Sequence, residues 1–535
     1  MITGSAIATL VVFILSITCV ILPFHIPFSR SRPDGKGIRF PIDLKTAPII
    51  AIAVLWAAQC LGPAVIRNGI VGTEGIKPYN ILILFFSLAY MTITLDVTGV
   101  LQAAAFWVSN KGGSNGYKLY FYFYIMLTLL SVVVGNDPVI LSGTVFLVYY
   151  TKAVHLDPLA WLIAEFAAAN TASMVLFVGN PTNVVICEGF RINNVAYSAY
   201  TVFPFMACIV CCFLALAFQF RDKKHVPKKL EITGTLSPRS VLLDPVSAWV
   251  GSILLGSCLA VILVVSFFGV DVWMISLPFA FAKFIFDIAW DYWRYEHGMI
   301  PSAVVDEPKD PDEVIKRVLE RTITHNTLPS SYPTFSSVAP PPSSTIMSKS
   351  LLRRQESKLG RINDSLERRF PTFFTALPRL PFALVPFAFS QFILIEALAH
   401  QGWIDIFALW LVRATGRSIY PTVWIVGVLG VLMCNVAGTN IGATILLTKV
   451  VRSAPDFPHS SSLAAAIALA VASNVGAVSF TFSASLAGLL WRGILEQKGI
   501  TIKQRQFAFW NLLPILVMTV VGLAVVSIEM AVLFR

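Results

Sequence analysis

Long apolar segments run through the whole chain and limit what it can fold into. Spanning a lipid bilayer takes about 20 apolar residues in an α-helix, and eight uninterrupted segments of that kind occur. They lie at 5–23, 47–66, 80–97, 199–220, 246–268, 270–291, 375–396 and 508–531. Only 13% of the 535 residues are charged, whereas soluble proteins have about 25%. The sequence therefore predicts a multi-pass integral membrane protein and excludes a cytosolic enzyme.

Four further apolar segments are interrupted by clusters of glycine, proline and polar residues. The breaks are Asn136-Asp137 in 120–152, Gly179–Asn183 in 158–190, Cys434–Gly442 in 421–451, and Asn474 with Ser483–Ser485 in 461–495. Such clusters end helices, and hydrocarbon tolerates the freed backbone groups only where protein or a wet cavity satisfies them. We predict re-entrant hairpins at 120–152 and 421–451, and broken helices at 158–190 and 461–495.

The breaks recur at a nearly constant interval, which predicts an internal repeat. Asp137 and Asn440 are 303 residues apart, and Asn170 and Asn474 are 304 apart. The first repeat is 1–220, while the second begins at 246–291 and continues at 375–535. Because the two start on opposite faces, they are inverted, as is typical of secondary transporters. The predicted fold class is an all-α polytopic membrane protein with about ten transmembrane helices, two hairpins and two broken helices.

Basic residues indicate how the chain is oriented. Lys and Arg outnumber Asp and Glu by 40 to 29, a net charge of +11, and most lie between apolar segments. Basic loops at 30–45, 221–245 and 292–374 share one face, which the positive-inside rule assigns to the cytoplasm. The 292–374 loop, rich in proline and serine, is predicted to be a largely disordered linker. Because membrane orientation accounts for the basic residues, no nucleic-acid partner is predicted. The plasma membrane and an organelle membrane are both retained as locations of the protein.

Asp137 is the first candidate for ion coupling. A carboxylate deep in a membrane segment costs about 2.5–3.5 kcal/mol on insertion scales, so it usually has a function or a partner. It could exchange a proton or Na⁺, or it could cap the helix that starts near Val139. Glu165 is a second protonatable candidate. Asp96 is expected near the interface, and Glu188 is expected to pair with Arg191 on the surface.

Neutral polar side chains at the breaks form the second group of candidates. Amides and hydroxyls donate and accept hydrogen bonds without imposing a charge, which suits a polar solute or a partly hydrated ion. Helix ends at the breaks add partial charges, although the same side chains could merely repair the broken helices. The candidates are Asn136, Asn170, Thr171, Asn180, Thr182, Asn183, Thr439, Asn440, Asn474, Ser483 and Ser485.

Signatures of other chemistry are missing from the sequence. It contains no H-E-x-x-H, G-x-S-x-G or Walker A motif, so neither an enzyme nor a cofactor is predicted. The eight cysteines lie in or beside apolar segments, so neither disulfides nor a metal site is expected. Transport would then depend on an ion gradient, the membrane potential or a partner ATPase. A channel and a non-transporting scaffold stay as alternatives.

Several strings resemble the citrate-transporter-like ion transporter superfamily, and within it the ArsB-type arsenite permeases and NhaD-type antiporters. Asn136-Asp137 is similar to the family's Asn-Asp segment, and 177–184 to its Gly-Asn/Thr-Pro-x-Asn break. In the second half, 380–387, 473–477 and 485–491 resemble the arsenite-permease pattern. The resemblance implies hairpins pointing inward, a substrate site between their tips and the broken helices, and alternating access.

The same resemblance implies several transport functions. Arsenite-type members exchange arsenite, antimonite or silicic acid for protons, and this efflux is the first expectation. Na⁺/H⁺ antiport and carriage of di- or tricarboxylates are the alternatives. The tips Asn136-Asp137-Pro138 and Thr439-Asn440-Ile441 depart from the Ser-Asn-Thr of the carboxylate branch, which disfavours a carboxylate. The implied partners are a small inorganic or anionic solute, H⁺ or Na⁺, the lipid bilayer and, by analogy with carboxylate carriers, a second copy of the chain.

Overall fold

The computed structural model describes residues 3–31, 37–230, 236–268, 270–300, 319 and 365–535. Most of the predicted linker 292–374, and part of the basic loop 221–245, lie outside these residues. In the described part, ten helices are long and apolar enough to cross a membrane. The predicted all-α polytopic membrane fold is confirmed.

The described part of the first half contains ten helices. They are α1 (Gly4–Ile21), α2 (Ala47–Ala57), α3 (Pro63–Val71), α4 (Pro78–Val97), α5 (Val100–Gly112), α6 (Gly116–Val134), α7 (Asn136–Ala153), α8 (Leu159–Ala172), α9 (Pro181–Phe190) and α10 (Asn194–Gln219). A single 3₁₀ turn, Phe177–Gly179, separates α8 from α9. A β-hairpin that the sequence did not predict, β1 (Phe24–Ser31) and β2 (Gly37–Ile42), lies between α1 and α2.

The described part of the second half also contains ten helices. They are α11 (Pro245–Val265), α12 (Trp273–Glu296), α13 (Pro371–Ala376), α14 (Leu384–His400), α15 (Trp403–Thr415), α16 (Ile419–Val436), α17 (Asn440–Arg452), α18 (His459–Val478), α19 (Leu486–Gln497) and α20 (Gln504–Leu533). A 3₁₀ turn follows α13 at Leu377–Arg379, and another, Phe482–Ala484, separates α18 from α19. The helices α14–α20 thus repeat the order of α4–α10.

One expectation about an individual segment is wrong, and two helices were not predicted. Segment 47–66 is not one span, because the chain leaves the helix after Ala57 and Pro63 starts a new one. Proline lacks an N–H for a helix interior and is favoured at a first turn. The sequence also gave no sign of α5 and α15, which each have 13 residues and follow a glycine in the left-handed region, Gly99 or Gly402. Helices of that length are too short to be recognised as spans.

Packing between the halves is reciprocal. Helix α7 packs against α19, and the equivalent helices α17 and α9 pack against each other. The broken helices α8 and α18 are also in contact, as are the final helices α10 and α20. All residues of α8 are buried. The centre of the molecule is therefore built from equivalent elements of both repeats, and the breaks lie inside it.

The helix starts correct the alignment of the two halves by one residue. Asn136 and Asn440 are the first residues of α7 and α17, and they are 304 residues apart, as are Asn170 and Asn474. Asp137 therefore corresponds to Ile441 rather than to Asn440. The second repeat has no carboxylate at that place, so any chemistry of Asp137 belongs to one half only.

Candidate functional site

The first hairpin turns at Gly135, between α6 and α7. Its backbone has φ +85°, in the region that glycine adopts without strain, and a Cβ there would lie 3.2 Å from the carbonyl oxygen of Gly179. The hairpin tip therefore rests against the backbone of the break in the first broken helix. A larger residue would push the two apart.

Asn474 joins the two broken helices. Its Nδ2 donates to Oδ1 of Asn183 at 2.9 Å, and its Oδ1 accepts from Oγ of Ser173 at 2.9 Å and from Nδ2 of Asn180 at 3.3 Å. All four side chains are buried. Because buried amides need partners, this set fixes the break of the first repeat against α18 of the second.

A second pair of amides connects the hairpin to the broken helix. Nδ2 of Asn136 donates to Oδ1 of Asn170 at 3.1 Å, and Nδ2 of Asn170 donates to the carbonyl oxygen of Phe166 at 2.9 Å. Oγ of Ser173 also lies 2.8 Å from the carbonyl oxygen of Asn170, which shares the single proton of that hydroxyl with Oδ1 of Asn474. The predicted site residues Asn136, Asn170, Asn180, Asn183 and Asn474 thus form one neutral network, completed by Ser173, which the sequence reasoning missed.

Asp137 lies beside this network in the wall of an open cavity. The walls come from α4, the hairpin tip, the 3₁₀ turn before α9, and the segment that leads into α14. The cap of α7 is Gly135, and Asp137 makes no hydrogen bond with the described residues, so the capping interpretation is wrong. Of the described residues that line the cavity, only Asp137 and Arg379 are charged.

Three predicted site residues are helix caps. Oδ1 of Asn180 accepts from the backbone N–H of Thr182 at 3.2 Å, Oγ1 of Thr439 from that of Gly442 at 3.2 Å, and Oγ of Ser485 from that of Gly488 at 3.0 Å. These contacts satisfy N–H groups at the start of α9, α17 and α19, which have no partner within the helix. For Thr439 and Ser485 the repair of a broken helix accounts for the residue.

The remaining predicted residues are dispersed. Oγ1 of Thr171 contacts Sδ of Met518 on α20 at 3.2 Å, away from the amides. The hydroxyls of Thr182 and Ser483 are buried without a hydrogen-bond partner among the described residues. The side chain of Asn440 is buried and likewise makes no hydrogen bond in the described part. None of these three described side chains is in the wall of the cavity that Asp137 lines.

Glu165 lies apart from the cavity. It is fully buried in α8, where Oε2 accepts from Oγ1 of Thr144 at 3.0 Å and Oε1 has no partner within the described residues. Gly143 faces it so closely that a Cβ there would be 2.3 Å from Oε1. The structure therefore does not bring Glu165 and Asp137 together.

Glu188 is placed differently from the expectation, whereas the place of Asp96 near the membrane interface stays a prediction. Asp96 is only 2% exposed, and its carboxylate accepts from Nη1 of Arg379 at 3.3 Å, from Nε2 of Gln102 at 3.2 Å and from the hydroxyl of Ser142. Glu188 does not pair with Arg191. It accepts instead from the backbone N–H of Lys77 at 2.9 Å and from the side-chain amide of Asn80, at the start of α4. Sequence gave no signal for these contacts, because the partners are far apart in the chain.

Comparison with known proteins places this site in a family. The profile of the CitMHS family, described as citrate transporter, matches residues 38–323, more than half of the chain. The chain belongs to the CitMHS citrate transporter family. Because the match covers α2–α12, it includes the first hairpin, Asp137 and the first broken helix. The resemblance to citrate-transporter-like proteins is confirmed.

Other relatives of this CitMHS member are arsenical pump proteins. The "Arsenical pump membrane protein" of Escherichia coli is 25% identical over 260 residues, which are 48% of this chain and 54% of that protein. The protein of the same name from Yersinia enterocolitica is 24% identical over 225 residues, 41% of this chain and 51% of that one. The chain thus spans about half the length of the relatives it matches.

Two solved structures align with nearly the whole CitMHS chain. The YdaH transporter of Alcanivorax borkumensis has a TM-score of 0.43 and 11% identity, and the alignment covers 98% of this chain and 99% of that one. MtrF of Neisseria gonorrhoeae has a TM-score of 0.41 and 12% identity, over 99% and 95% of the two chains.

Proposed function

We propose that the protein is a secondary active transporter that exchanges protons for a small neutral inorganic hydroxide, such as arsenite, antimonite or silicic acid. The observation that carries the proposal is the place of Asp137. It is the one acid among the described cavity-lining residues, and it stands beside the neutral network of Asn136 and Asn170. A protonatable group next to uncharged donors and acceptors suits a proton and an uncharged solute.

The chemistry of the solute agrees with the amide network. A trihydroxide such as As(OH)₃ offers several O–H donors and oxygen acceptors and carries no charge. Amide and hydroxyl groups can meet both kinds of group, and Asn136 and Thr92 line the cavity beside Asp137. A tricarboxylate would instead need several cations, while the cavity offers Arg379, which Asp96 already engages.

Proton exchange would follow from the single carboxyl group. When Asp137 is protonated and neutral, the hairpin would carry it to the other side of the membrane. When the solute is bound, the hairpin would move back with Asp137 ionised. A ligand shifts a conformational equilibrium only by its difference in affinity for the two states. If only the protonated and the solute-bound carrier change sides, one proton is exchanged for each solute. Glu165 is proposed as a second protonatable group, with its proton held against Thr144. The names of the arsenical pump relatives support the choice of solute.

Reconstitution of the full chain into proteoliposomes tests this function. Arsenite flux and internal pH would be recorded together, and we expect arsenite movement to drive protons in the opposite direction. Asp137→Asn should abolish proton movement. Asp405→Asn, which removes an exposed acid on α15, serves as the matched control and should behave as wild type. Arsenite flux that ignores the pH gradient would sink the proposal.

A second candidate function is Na⁺/H⁺ antiport or carriage of an organic anion. It is favoured by Arg379 in the cavity wall and by the name of the family. A ligand that binds the folded state raises the melting temperature, so thermal unfolding with arsenite, silicate, Na⁺ and citrate separates the candidates. Stabilisation by citrate but not by arsenite would favour the second function. The cytoplasmic place of 292–374 and a homodimer stay predictions beside either function.

A further inference from the structure

The β-hairpin of β1 and β2 follows the first membrane span directly. Helix α1 has 18 residues, and at about 1.5 Å per residue it covers most of the ~30 Å hydrocarbon core of a bilayer. Only Leu22 and Pro23 separate the end of α1 from Phe24, where β1 begins. The β-hairpin therefore starts in the headgroup layer at one end of the span.

One face of the β-hairpin exposes large apolar side chains. The register pairs Phe24 with Ile42 and Ile26 with Phe40. Paired residues share a face, and successive residues of a strand point to opposite faces, so these four side chains lie together and His25 points the other way. Phe24 is 48% exposed, and Ile26 and Phe40 are each 44% exposed. This face is therefore uncovered by the described part of the protein.

The base of the β-hairpin is fixed to two helices. Ile42, the fourth residue of the apolar face, is buried in a cluster with Val20 of α1 and Ala47 of α2. Just before α2, the hydroxyl of Thr46 donates to the carbonyl oxygen of Pro41 at 2.7 Å. The uncovered face thus has a defined direction relative to α1, and a force on the β-hairpin reaches α1 through this cluster.

The uncovered face continues a surface of α1 that meets lipid. Val11 and Leu15 lie one turn apart on α1, and Leu22 lies seven residues after Leu15. All three are exposed and apolar, which is stable on a membrane span only where acyl chains cover it. Because the β-hairpin extends this surface into the headgroup layer, its natural cover is the same bilayer. Apolar faces of interfacial segments enter the boundary between headgroups and acyl chains.

The last turns of α1 lie against the tip of the second helical hairpin, between α16 and α17. A Cβ at Gly438 in this tip would lie 3.5 Å from Cγ2 of Ile17 and 3.5 Å from Cγ1 of Val20. Helix α1 also contacts the 3₁₀ turn Phe482–Ala484. The part of α1 that joins the β-hairpin therefore borders both the tip and the break of the second repeat.

We propose that the β-hairpin is a lipid-interface anchor. Its apolar face of Phe24, Ile26 and Phe40 lies among the headgroups and upper acyl chains beside α1. Lipid bound there fixes the β-hairpin, and through Val20 it holds the last turns of α1 against the tip at Gly438. The partner is the phospholipid of the surrounding bilayer, and the inference does not rest on the proposed function.

Fluorescence quenching in nanodiscs tests the contact with lipid. An environment-sensitive fluorophore would be attached to Ile26→Cys in the full chain. The background is Cys19→Ala/Cys211→Ala, because the other six cysteines are buried. The matched control carries the fluorophore at His25→Cys, one residue away on the opposite face. We expect lipids with a nitroxide near the headgroup to quench the label at Ile26 several-fold more than the label at His25, and iodide in the buffer to quench them in the reverse order.

Two results of this experiment overturn the anchor. Equal quenching by the nitroxide lipid at Ile26 and His25 would mean that the apolar face does not enter the interface. A label at Ile26 that neither the nitroxide lipid nor iodide quenches would mean that protein, such as a second copy of the chain, covers this face instead of lipid.

The link to the second helical hairpin needs a separate measurement. Ile26→Asp places a charge on the face that meets lipid, which is costly near acyl chains, so the β-hairpin should leave the interface and loosen α1. Ala437→Cys puts a thiol next to Gly438, and we expect a small membrane-permeant thiol reagent to modify it several-fold faster when Ile26→Asp is present. His25→Asp adds the same charge to the opposite face and is the control. Equal rates with Ile26→Asp and His25→Asp, in variants that melt at the same temperature, would overturn the link.

Discussion

Lys449 of α17 and Glu396 of α14 form an ion pair at the end of α4 that is far from the cavity. Nζ of Lys449 lies 2.7 Å from Oε2 of Glu396 and donates to Oγ1 of Thr73 at 2.8 Å, and this hydroxyl donates to the same carboxylate oxygen at 3.0 Å. Thr73 precedes α4, while the cavity lies beside the carboxyl-terminal half of that helix. The pair therefore connects the second hairpin to α14 and to the segment that precedes α4.

Breaking this pair should let water reach the contact between α17 and α14. Lys449→Met removes the cation and leaves Glu396 and Thr73 to be hydrated, which favours a conformation with water between α17 and α14. The 3₁₀ turn at Ser483 corresponds to the turn at Val178, which lines the present cavity. We therefore expect Ser483→Cys to react several-fold faster with a membrane-impermeant maleimide in the Lys449→Met background.

The control for this experiment is an ion pair at the surface. Arg417 and Asp456 lie 3.5 Å apart with exposed side chains, and exposed pairs contribute little to stability. Arg417→Met should leave the labelling rate unchanged. If Lys449→Met and Arg417→Met label at the same rate, the pair at Glu396 does not keep water out of this contact.

Sequence predicted the breaks well because their causes are local. Glycine, proline and asparagine end a helix wherever they cluster, so α7, α9, α17 and α19 begin where the strings at Gly135, Asn180, Thr439 and Ser485 occur. Local pattern also accounts for the ten long apolar helices. The local pattern did not predict α5 and α15, because these helices are short and mixed in composition and do not resemble membrane spans.

Much of the candidate site could not be predicted, because its contacts join distant parts of the chain. Asp96 and Arg379 are separated by 283 positions, and Ser173 and Asn474 by 301. No periodicity encodes such a pairing, and only the fold decides which polar groups share a cavity. The repeat did predict that Asn170 and Asn474 are equivalent, but not that Thr171 would face Met518.

Removing Lys283 should destabilise the protein strongly. Lys283 and Asp287 form a fully buried ion pair on α12, and the hydroxyl of Tyr90 donates to Asp287 at 3.0 Å. Lys283→Met leaves a buried carboxylate with one neutral partner, and breaking buried pairs costs about 3–5 kcal/mol. Thermal unfolding in detergent should show a large loss, and Lys283→Met/Asp287→Asn should recover most of it. A melting temperature unchanged by the single substitution would contradict the buried pair.

A methyl group at Gly143 tests the position of Glu165. The added Cβ would lie 2.3 Å from Oε1 of Glu165 and 3.1 Å from Cδ2 of Leu127, so Gly143→Ala must displace the carboxyl group or α7. Overpacking of this kind costs about 1–3 kcal/mol. Gly256→Ala on α11 meets no atom within 4 Å and is the matched control. In the Glu165→Ala background the cost of Gly143→Ala should disappear, and a cost that persists there would place Glu165 elsewhere.

The substitutions Asn474→Ala and Thr171→Val test whether the predicted site residues bind the solute or only stabilise the fold. Asn474→Ala removes the amide that holds Asn183, Ser173 and Asn180 together, so the neutral network loses its centre and arsenite should no longer raise the melting temperature. Thr171→Val keeps the shape of a side chain that faces Met518, so the arsenite-induced shift should persist. Because Asn474→Ala also removes buried hydrogen bonds worth about 1 kcal/mol each, the readout is the shift on adding arsenite rather than the melting temperature itself. Equal shifts in both variants would mean that the amides only join the broken helices.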